Sequence, residues 1–272
     1  MTNFSVAAIQ MTSHADVEKN LKTAEKLIAH AADKGATLIV LPEMFAVMGI
    51  DQLDKVKIRE ELGHGRIQDF LSQQAEKRSV WLVGGTIPIA VSHSSDKVYA
   101  ACLLYDDKGQ RVACYDKIHL FDVTLSDTRE SFYESKTTAP GNKVVVVPTP
   151  FGKLGLAVCY DIRFPEMFRT MHDREVECII LPAAFTDTTG KAHWDILVRA
   201  RAIENQVYLI AAAQTGVHEN GRKTYGHSMI VDPWGRVKAN LLEEEGVIIS
   251  EIDLAYLQKM REEFPVLLHR QF

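Results

Sequence analysis

Several features that define large classes of protein are missing from this sequence. No apolar run approaches the ~20 consecutive residues that a membrane-spanning helix needs. The first residues have neither the basic segment nor the apolar segment of an export signal. The formal net charge is −5, so no basic excess is available to neutralise a phosphate backbone. We therefore expect a cytoplasmic protein that binds neither nucleic acid nor membrane.

Cysteine is scarce, and patterns that hold metals or phosphates are missing too. The four cysteines form no CxxC pair, and in a long chain without an export signal they are expected to be reduced thiols. The ten histidines show neither HExxH nor Cys/His ligand spacing. Gly84-Gly85 lacks the flanking pattern of a phosphate loop, and close backbone packing explains it better. We predict no metal and no cofactor.

What the chain does contain is the alternating pattern of an α/β protein. Its 272 residues are 46% hydrophobic and 25% charged, which is ordinary for a protein with a large core. The predicted strands are 4–10, 37–42, 80–88, 98–105, 111–115, 144–147, 154–159, 177–182, 207–214, 227–232 and 247–252. The predicted helices are 17–34, which Gly35 stops, and 67–77, 164–172, 193–205 and 254–263. Strands and helices that alternate, with hairpins among them, predict one α/β domain over residues 1–272 with mixed sheets.

Three predicted strands or hairpins end in a reactive side chain. Glu43 follows a short buried strand, Lys117 follows a hairpin, and Cys159 lies where a strand turns into a helix. Open α/β sheets place ligand sites at the carboxyl ends of their strands. A thiol at such a turn also lies near backbone N–H groups that bind an oxyanion. Spacing alone does not show that the three side chains meet.

Taken one at a time, these residues have ordinary structural explanations. A cysteine in this position is more often a small buried hydrophobe. Glu43 could be a carboxylate at the start of a helix, and Lys117 a solvated surface charge. The other three thiols, Cys102, Cys114 and Cys178, lie in apolar strands and are expected to be core residues.

Three sequence motifs together resemble those of the nitrilase superfamily of carbon–nitrogen hydrolases. They are residues 41–43 (Leu-Pro-Glu), 116–121 (Asp-Lys-Ile-His-Leu-Phe) and 158–166 (Val-Cys-Tyr-Asp-Ile-Arg-Phe-Pro-Glu), in the order and at the separations of that family. The resemblance covers essentially the whole chain. It implies a four-layer α-β-β-α sandwich, a Glu–Lys–Cys triad and a homodimer formed through the outer helices.

The resemblance also assigns roles to the residues in these motifs. A free thiol with a pKa of ~8.5 is mostly protonated at neutral pH, so the nucleophile Cys159 needs a base, which is Glu43. Lys117 and the backbone N–H of Tyr160 stabilise the oxyanion. Glu43 then protonates the leaving ammonia and activates the water that hydrolyses the thioester. Glu134, followed by Ser135, matches the family's second glutamate, which supports the lysine and positions the substrate.

Two further residues are candidate substrate contacts. Arg163 lies four residues past the nucleophile and is the best-placed cation for a substrate carboxylate. His193 opens a predicted helix, where capping and packing compete closely with substrate contact as its role. In the same helix, Arg199, Arg201 and Glu204 are expected to form structural ion pairs beneath the site.

Finer similarity points to one branch of the superfamily. Segments 192–194, 199–204, 211–214, 225–228 and 265–270 resemble the deaminated glutathione amidases, which release 2-oxoglutarate and cysteinylglycine. The expected partner is therefore a small amide substrate with carboxylates. Three alternatives stay open: an ω-amidase that acts on α-ketoglutaramate, an N-carbamoyl amino acid amidohydrolase, and a catalytically idle scaffold on the same fold.

Overall fold

A computed structural model describes residues 3–92, 94–125 and 130–271 of the chain. Its strands are β1 (Phe4–Gln10), β2 (Leu38–Val40), β3 (Trp81–Val83), β4 (Ile87–Ala90), β5 (Val98–Tyr105), β6 (Arg111–Asp116), β7 (Asp122–Leu125), β8 (Glu130–Tyr133), β9 (Val145–Thr149), β10 (Gly152–Leu156), β11 (Cys178–Ala183), β12 (Tyr208–Ala213), β13 (Thr215–Val217), β14 (Lys223–Tyr225), β15 (Met229–Val231), β16 (Val237–Asn240) and β17 (Gly246–Ile252). Its α-helices are α1 (Val17–Asp33), α2 (Asp54–Lys57), α3 (Arg66–Arg78), α4 (Pro165–His172), α5 (Asp187–Asn205) and α6 (Leu254–Glu263).

The strands form two mixed sheets. The first has the order β17-β1-β2-β3-β5-β4, with β6 beside β5, and the second has the order β16-β15-β12-β11-β10-β9. In each sheet three neighbouring strands are parallel, namely β1, β2 and β3 in the first and β10, β11 and β12 in the second. The flanking strands are antiparallel. As a result, both sheets end several parallel strands on the same side of the molecule.

Alternation along the strands of the first sheet produces two separate cores. Val6 and Ala8 of β1 belong to the core shared with the second sheet. Ala7 and Ile9 point the other way, into a core that they share with the buried faces of α1 and α3. On the far side, α5 buries Trp194 and packs on the second sheet. The layers are helix, sheet, sheet and helix, which confirms the predicted α-β-β-α sandwich.

Local sequence signals explain where the longest N-terminal helix begins and ends. The side chain of Asp16 accepts hydrogen bonds from the backbone N–H groups of Glu18 and Lys19, so it caps α1. Gly35 follows the helix with a φ of +87°, a conformation that glycine adopts without strain. Both ends agree with the predicted helix over 17–34 to within one residue.

The structure corrects several predicted boundaries. The single strand expected over 80–88 is two strands, β3 and β4, because the chain bends through Gly84 and Gly85. Helix α5 begins at Asp187 rather than at His193, because Thr186 caps it by accepting a hydrogen bond from the Thr189 N–H. The hairpins β7–β8 and β13–β14 were not predicted, since neither has the alternating apolar pattern of a buried strand. No helix in the described ranges combines the length and the apolar character needed to cross a membrane.

Candidate active site

The carboxyl ends of the parallel strands surround a cavity of about 470 Å³. Glu43, Lys117, Glu134 and Cys159 all line it, although they are far apart in sequence. Glu43 comes after β2, Lys117 directly after β6, and Cys159 soon after β10. The two sheets therefore bring the three predicted reactive side chains, and the fourth supporting one, into one place.

Hydrogen bonds fix the backbone around Glu43 and so determine where its carboxylate points. The residue is only 4% exposed. The next residue, Met44, has a φ of +58°, and its N–H donates a 2.9 Å hydrogen bond to Oγ1 of Thr86. The carbonyl of Glu43 accepts a 2.9 Å hydrogen bond from Nε2 of Gln214, a fully buried side chain. This unusual turn directs the carboxylate into the cavity and fixes it there.

The loop that supports Glu43 requires a glycine. Gly85 has a φ of +52°, and a Cβ atom at this position would lie 2.0 Å from the carbonyl oxygen of Pro42. A methyl group at Gly84 would lie 2.5 Å from a side-chain carbon of Leu71. Close packing of the backbone is therefore the reason for the Gly84-Gly85 pair, as the sequence predicted.

Lys117 is the central cation of the cavity. Its Nζ donates hydrogen bonds to Oε1 of Glu43 at 2.8 Å and to both carboxylate oxygens of Glu134 at 2.9 and 3.1 Å. Burial alone would lower the pKa of this ammonium, but the charges of Glu134 and Glu43 outweigh it and raise the pKa well above its ordinary value. Lys117 is therefore a permanent positive charge that is almost fully buried.

Glu134 lies on a short 3-10 turn, Glu134–Lys136, that follows β8. Burial raises the pKa of its carboxyl group, yet the ammonium groups of Lys117 and Lys55 and the backbone N–H of Phe121 hold the pKa below its ordinary value. The N–H of Phe121 donates to Oε2 at 2.8 Å. Glu134 is thus ionised and bonded to the ammonium of Lys117, the residue that it was predicted to support.

The nucleophile candidate Cys159 begins a 3-10 turn, Cys159–Arg163, and has a φ of +47°. A non-glycine residue in this region is strained, which is typical of functional sites. Burial raises the pKa of its thiol, and the charge of Glu43 raises it further, while the charge of Lys117 opposes both. The thiol is therefore protonated at neutral pH. The N–H of Tyr160 belongs to the first turn, whose donors have no partner within the helix.

A buried carboxylate that sequence analysis overlooked ties this turn to the strand of Lys117. Asp161 is fully buried and accepts hydrogen bonds from the Tyr115 hydroxyl at 2.6 Å and the Val158 N–H at 2.8 Å. It also accepts from the backbone N–H of His119 at 3.1 Å, and its Oδ1 lies 2.7 Å from Nδ1 of that histidine. The signal was present, because Asp161 lies two residues past the nucleophile within a catalytic motif.

The two predicted substrate contacts occupy different positions. Arg163 lines the cavity, with its guanidinium 5.1 Å from the ring centroid of Phe185 and 5.8 Å from that of Tyr160. His193 does not line the cavity. Its exposed imidazole lies 3.2 Å from Nη1 of Arg163, on the second turn of α5. The structure therefore places His193 next to Arg163 but outside the lining of the cavity.

The remaining predictions on buried groups are mostly confirmed. Cys102 and Cys178 are fully buried in the core, whereas Cys114 is only half-buried because one face of β6 is partly open to solvent. Arg201 pairs with Glu204 at 2.8 Å and donates to the carbonyl of Ile162 beneath the nucleophile turn. The prediction for Arg199 is corrected: its ion pair is with Asp195, one helical turn earlier, and not with Glu204.

Two further cations of the cavity, Lys55 and Arg222, were missed. They come from helix α2 and from the loop before β14, and no motif marks them in the sequence. Within the described residues, no cluster of three or more His, Cys, Asp or Glu side chains is arranged to hold a metal ion. The arrangement that remains is a protonated thiol, a carboxylate, a buried ammonium and several cations around one cavity, which suits nucleophilic attack on a carbonyl of an anionic substrate.

Comparison with known proteins agrees with this chemistry. Residues 5–262 match the carbon-nitrogen hydrolase family. The chain is 41% identical to the deaminated glutathione amidase of Synechocystis, with 100% of both chains covered, and 42% identical to that of Homo sapiens, with 98% of this chain and 82% of the relative covered. The crystal structure of the Caenorhabditis elegans NitFhit protein is 38% identical and superposes with a TM-score of 0.92, covering 99% of this chain and 65% of that one. The chain therefore belongs to the carbon-nitrogen hydrolase family and is an amidase.

Proposed function

We propose that this amidase hydrolyses deaminated glutathione to 2-oxoglutarate and cysteinylglycine through a thioester on Cys159. The observation that carries the proposal is the position of Lys117, which donates to Glu43 at 2.8 Å and to Glu134 at 2.9 Å in the cavity that contains the thiol. Burying an ammonium between two carboxylates has a desolvation cost, so a gain in stability does not by itself explain this cluster. The task we assign to it is to stabilise an oxyanion.

The first step is attack by Cys159 on the amide carbonyl carbon. Because its thiol is protonated, the proton passes to Glu43 as the sulfur–carbon bond forms and the carbonyl π electrons move onto oxygen. An ammonium has three N–H donors. We assign one N–H of Lys117 to Glu43 and a second, shared between both carboxylate oxygens, to Glu134, which leaves the third for the oxyanion, together with the N–H of Tyr160. Loss of one such donor lowers kcat by roughly 10²–10³-fold in other enzymes.

The tetrahedral intermediate then collapses and expels the amine. Its carbon–nitrogen bond breaks while protonated Glu43 returns the proton to the nitrogen, which leaves as the amino group of cysteinylglycine. Water enters, gives a proton to Glu43 and attacks the thioester carbonyl. When the second intermediate collapses, the sulfur takes the proton back and 2-oxoglutarate is released. Glu43 acts as base and acid in turn, and the cycle restores every group.

The charge of the cavity supports a substrate with several carboxylates. Lys117 forms ion pairs with both carboxylates next to the nucleophile, and Asp51 is the third carboxylate of the lining. Three more cations line the cavity, Lys55, Arg163 and Arg222, and among the described residues none of them forms an ion pair with a carboxylate. Deaminated glutathione carries a carboxylate at each end. The names of the relatives from Synechocystis and Homo sapiens favour the same substrate.

A panel of amides tests this proposal. The purified chain is assayed with deaminated glutathione, α-ketoglutaramate and an N-carbamoyl amino acid at equal concentrations, with release of amine or ammonia as the readout. We expect the highest kcat/KM for deaminated glutathione. A clear preference for α-ketoglutaramate would make the protein an ω-amidase, and a preference for the carbamoyl compound an amidohydrolase of that class.

Two variants serve as controls for the panel. Cys159→Ala removes the nucleophile and is expected to abolish turnover of every substrate while leaving the fold intact, as judged by circular dichroism. Cys178→Ala changes the same residue type in the core, where Cys178 is fully buried in β11. It is expected to retain turnover. Equal activity of the Cys159→Ala variant and the wild type would contradict covalent catalysis.

A further inference from the structure

The two cavity cations that sequence analysis missed have only neutral partners. Nζ of Lys55 donates a 2.7 Å hydrogen bond to Oγ1 of Thr138, and an Nη atom of Arg222 donates to the carbonyl of Ala184. Neither cation has a carboxylate partner in the part of the chain that the structure describes. Cations held this way keep donors free for an anionic ligand.

Arg222 is built to receive such a ligand. Its guanidinium is held on one side by the Ala184 carbonyl and lies 5.5 Å from the ring centroid of Phe132. Nε is buried and has no acceptor among the described residues, so one donor of its planar fork is unsatisfied. A carboxylate matches this fork with two parallel hydrogen bonds.

The elements that carry the three cations separate them into two groups. Lys55 donates to Thr138, whose own N–H donates to the carbonyl of Glu134, and Arg222 lies over the ring of Phe132, two residues before Glu134. Arg163, by contrast, belongs to the same 3-10 turn as Cys159, the residue that keeps the acyl group in the proposed reaction. Lys55 and Arg222 thus belong to the wall of the cavity that carries Glu134, and Arg163 belongs to the turn that carries the thiol.

We propose that Arg222 and Lys55 form a subsite for a carboxylate on the leaving-amine half of the substrate, while Arg163 binds the carboxylate of the acyl half. The inference rests on the proposed function and deepens it. In deaminated glutathione, the carboxylate that this subsite binds is that of the terminal glycine. A substrate that releases only ammonia has no group for the subsite, so the enzyme discriminates by the charge of the amine that departs.

The test compares two substrates that differ in this one charge. Deaminated glutathione and its C-terminal glycinamide are assayed with the wild type and with Arg222→Met, Lys55→Met and Arg163→Met. We expect the wild type to favour the free acid by about 10–100-fold in kcat/KM, the value of one charge-assisted hydrogen-bonded contact. Arg222→Met should reduce this preference to near unity, and Lys55→Met should reduce it in part.

Arg163→Met is the matched control, because it makes the same chemical change in the same cavity. It should lower kcat/KM for both substrates together and leave the preference for the free acid as it is in the wild type. The preference is a ratio measured on one protein sample, so partial misfolding of a variant does not alter it. A preference that survives in Arg222→Met, or that disappears equally in Arg163→Met, would overturn the assignment.

The two proposals fail in different ways. If the wild type hydrolyses neither the acid nor the glycinamide but does hydrolyse α-ketoglutaramate, the proposed substrate is wrong and the subsite falls with it. If the wild type hydrolyses both at equal rates, the proposed function stands and the leaving-group subsite is refuted.

Discussion

The hydroxyl of Tyr115 lies 2.6 Å from Oδ2 of Asp161, and this hydrogen bond joins the strand of Lys117 to the turn of Cys159. Tyr115 is two residues before the lysine, and Asp161 is two residues after the cysteine. Both side chains are buried. Together with the bonds from His119 to Asp161, this contact holds Lys117 and Cys159, the proposed oxyanion donor and nucleophile, in register without touching either reactive atom.

Removing this hydrogen bond should show how far turnover depends on the positions of Lys117 and Cys159. Tyr115→Phe deletes only the hydroxyl, and it leaves a buried carboxylate with one donor fewer. We expect the free energy of unfolding to fall by about 1–3 kcal/mol. We also expect kcat to fall by roughly 10–100-fold, because small displacements of reacting groups are expensive. Urea denaturation and steady-state kinetics measure the two effects.

Tyr105→Phe is the control for that substitution. Tyr105 is buried in the neighbouring strand β5, and its hydroxyl makes no hydrogen bond to the described part of the protein. The same deletion there should leave kcat at the wild-type value. A similar loss of kcat in both variants would mean that the effect comes from general loosening of the sheet.

The protonated thiol leads to a prediction about Glu43. Glu43→Gln removes the base and should lower turnover by roughly 10²–10⁴-fold. The same change removes a negative charge that raises the pKa of Cys159, so the thiolate fraction should increase. We therefore expect alkylation of Cys159 by iodoacetamide to be as fast as in the wild type or faster, as followed by peptide mass spectrometry.

The other three thiols provide an internal comparison for alkylation. Cys102 and Cys178 are fully buried, and burial raises the pKa of Cys114 to about 12. Cys159 lines the cavity and should be modified first. Uniform labelling of all four cysteines would indicate an idle scaffold. A parallel loss of alkylation and turnover in Glu43→Gln would indicate a collapsed site.

His218 makes the protein sensitive to mild acid. Its Nδ1 lies 2.9 Å from the carbonyl of Ser13, and its Nε2 lies 2.8 Å from the hydroxyl of Thr224. Burial lowers the pKa of His218 from 6.5 to about 4. Between these two values the unfolded chain binds a proton that the folded chain does not. Stability is therefore present above pH 6.5 and is lost as the pH falls toward 4.

The size of this effect follows from the shift. At pH 5 the free energy of unfolding should be about 2 kcal/mol lower than at pH 7.5, on account of His218 alone. His218→Gln keeps a donor and an acceptor but does not titrate, so its unfolding free energy should change less over the same range. Urea denaturation at the two pH values measures the difference. Equal pH dependence in both proteins would refute the role of His218.

The loop beneath Glu43 should tolerate no side chain at Gly85. A methyl group there would lie 2.0 Å from the Pro42 carbonyl oxygen, so Gly85→Ala should shift the loop and lower both stability and turnover. Gly35→Ala is the matched control, since Gly35 also has a positive φ but has no atom within 4 Å of the added methyl. It should show only the cost of backbone strain, about 1–2 kcal/mol per residue. Equal effects in both variants would argue against a steric clash.

The architecture could be predicted because it depends on local patterns. The alternation in β1 and the cap and stop signals of α1 each depend on only a few neighbouring residues. The bounds of both elements could therefore be predicted closely. The start of α5 was missed because its first turn, which Thr186 caps, precedes the apolar pattern that marked the helix. Hairpins such as β7–β8 carry no core and therefore leave no apolar signal.

The site was predictable only where a motif carried it. Glu43, Lys117 and Cys159 each lie in one of the three sequence motifs, and Asp161 lies in the motif of Cys159. Lys55, Arg222 and Gln214 come from a short helix, a loop and the end of a strand, where nothing local distinguishes them from other polar residues. They belong to the site because the fold places them beside its other residues. Nε2 of Gln214, for example, donates a 2.9 Å hydrogen bond to the carbonyl of Glu43.

The central claim, that Cys159 carries the acyl group, is tested most directly by intact-protein mass spectrometry after an acid quench. The wild type is mixed with excess deaminated glutathione, quenched during turnover, and digested to locate the modification. We predict a mass increase equal to one 2-oxoglutaryl group, on the peptide that contains Cys159 and absent from Cys159→Ala. An acyl group on a residue other than Cys159, or wild-type turnover by Cys159→Ala, would contradict the account.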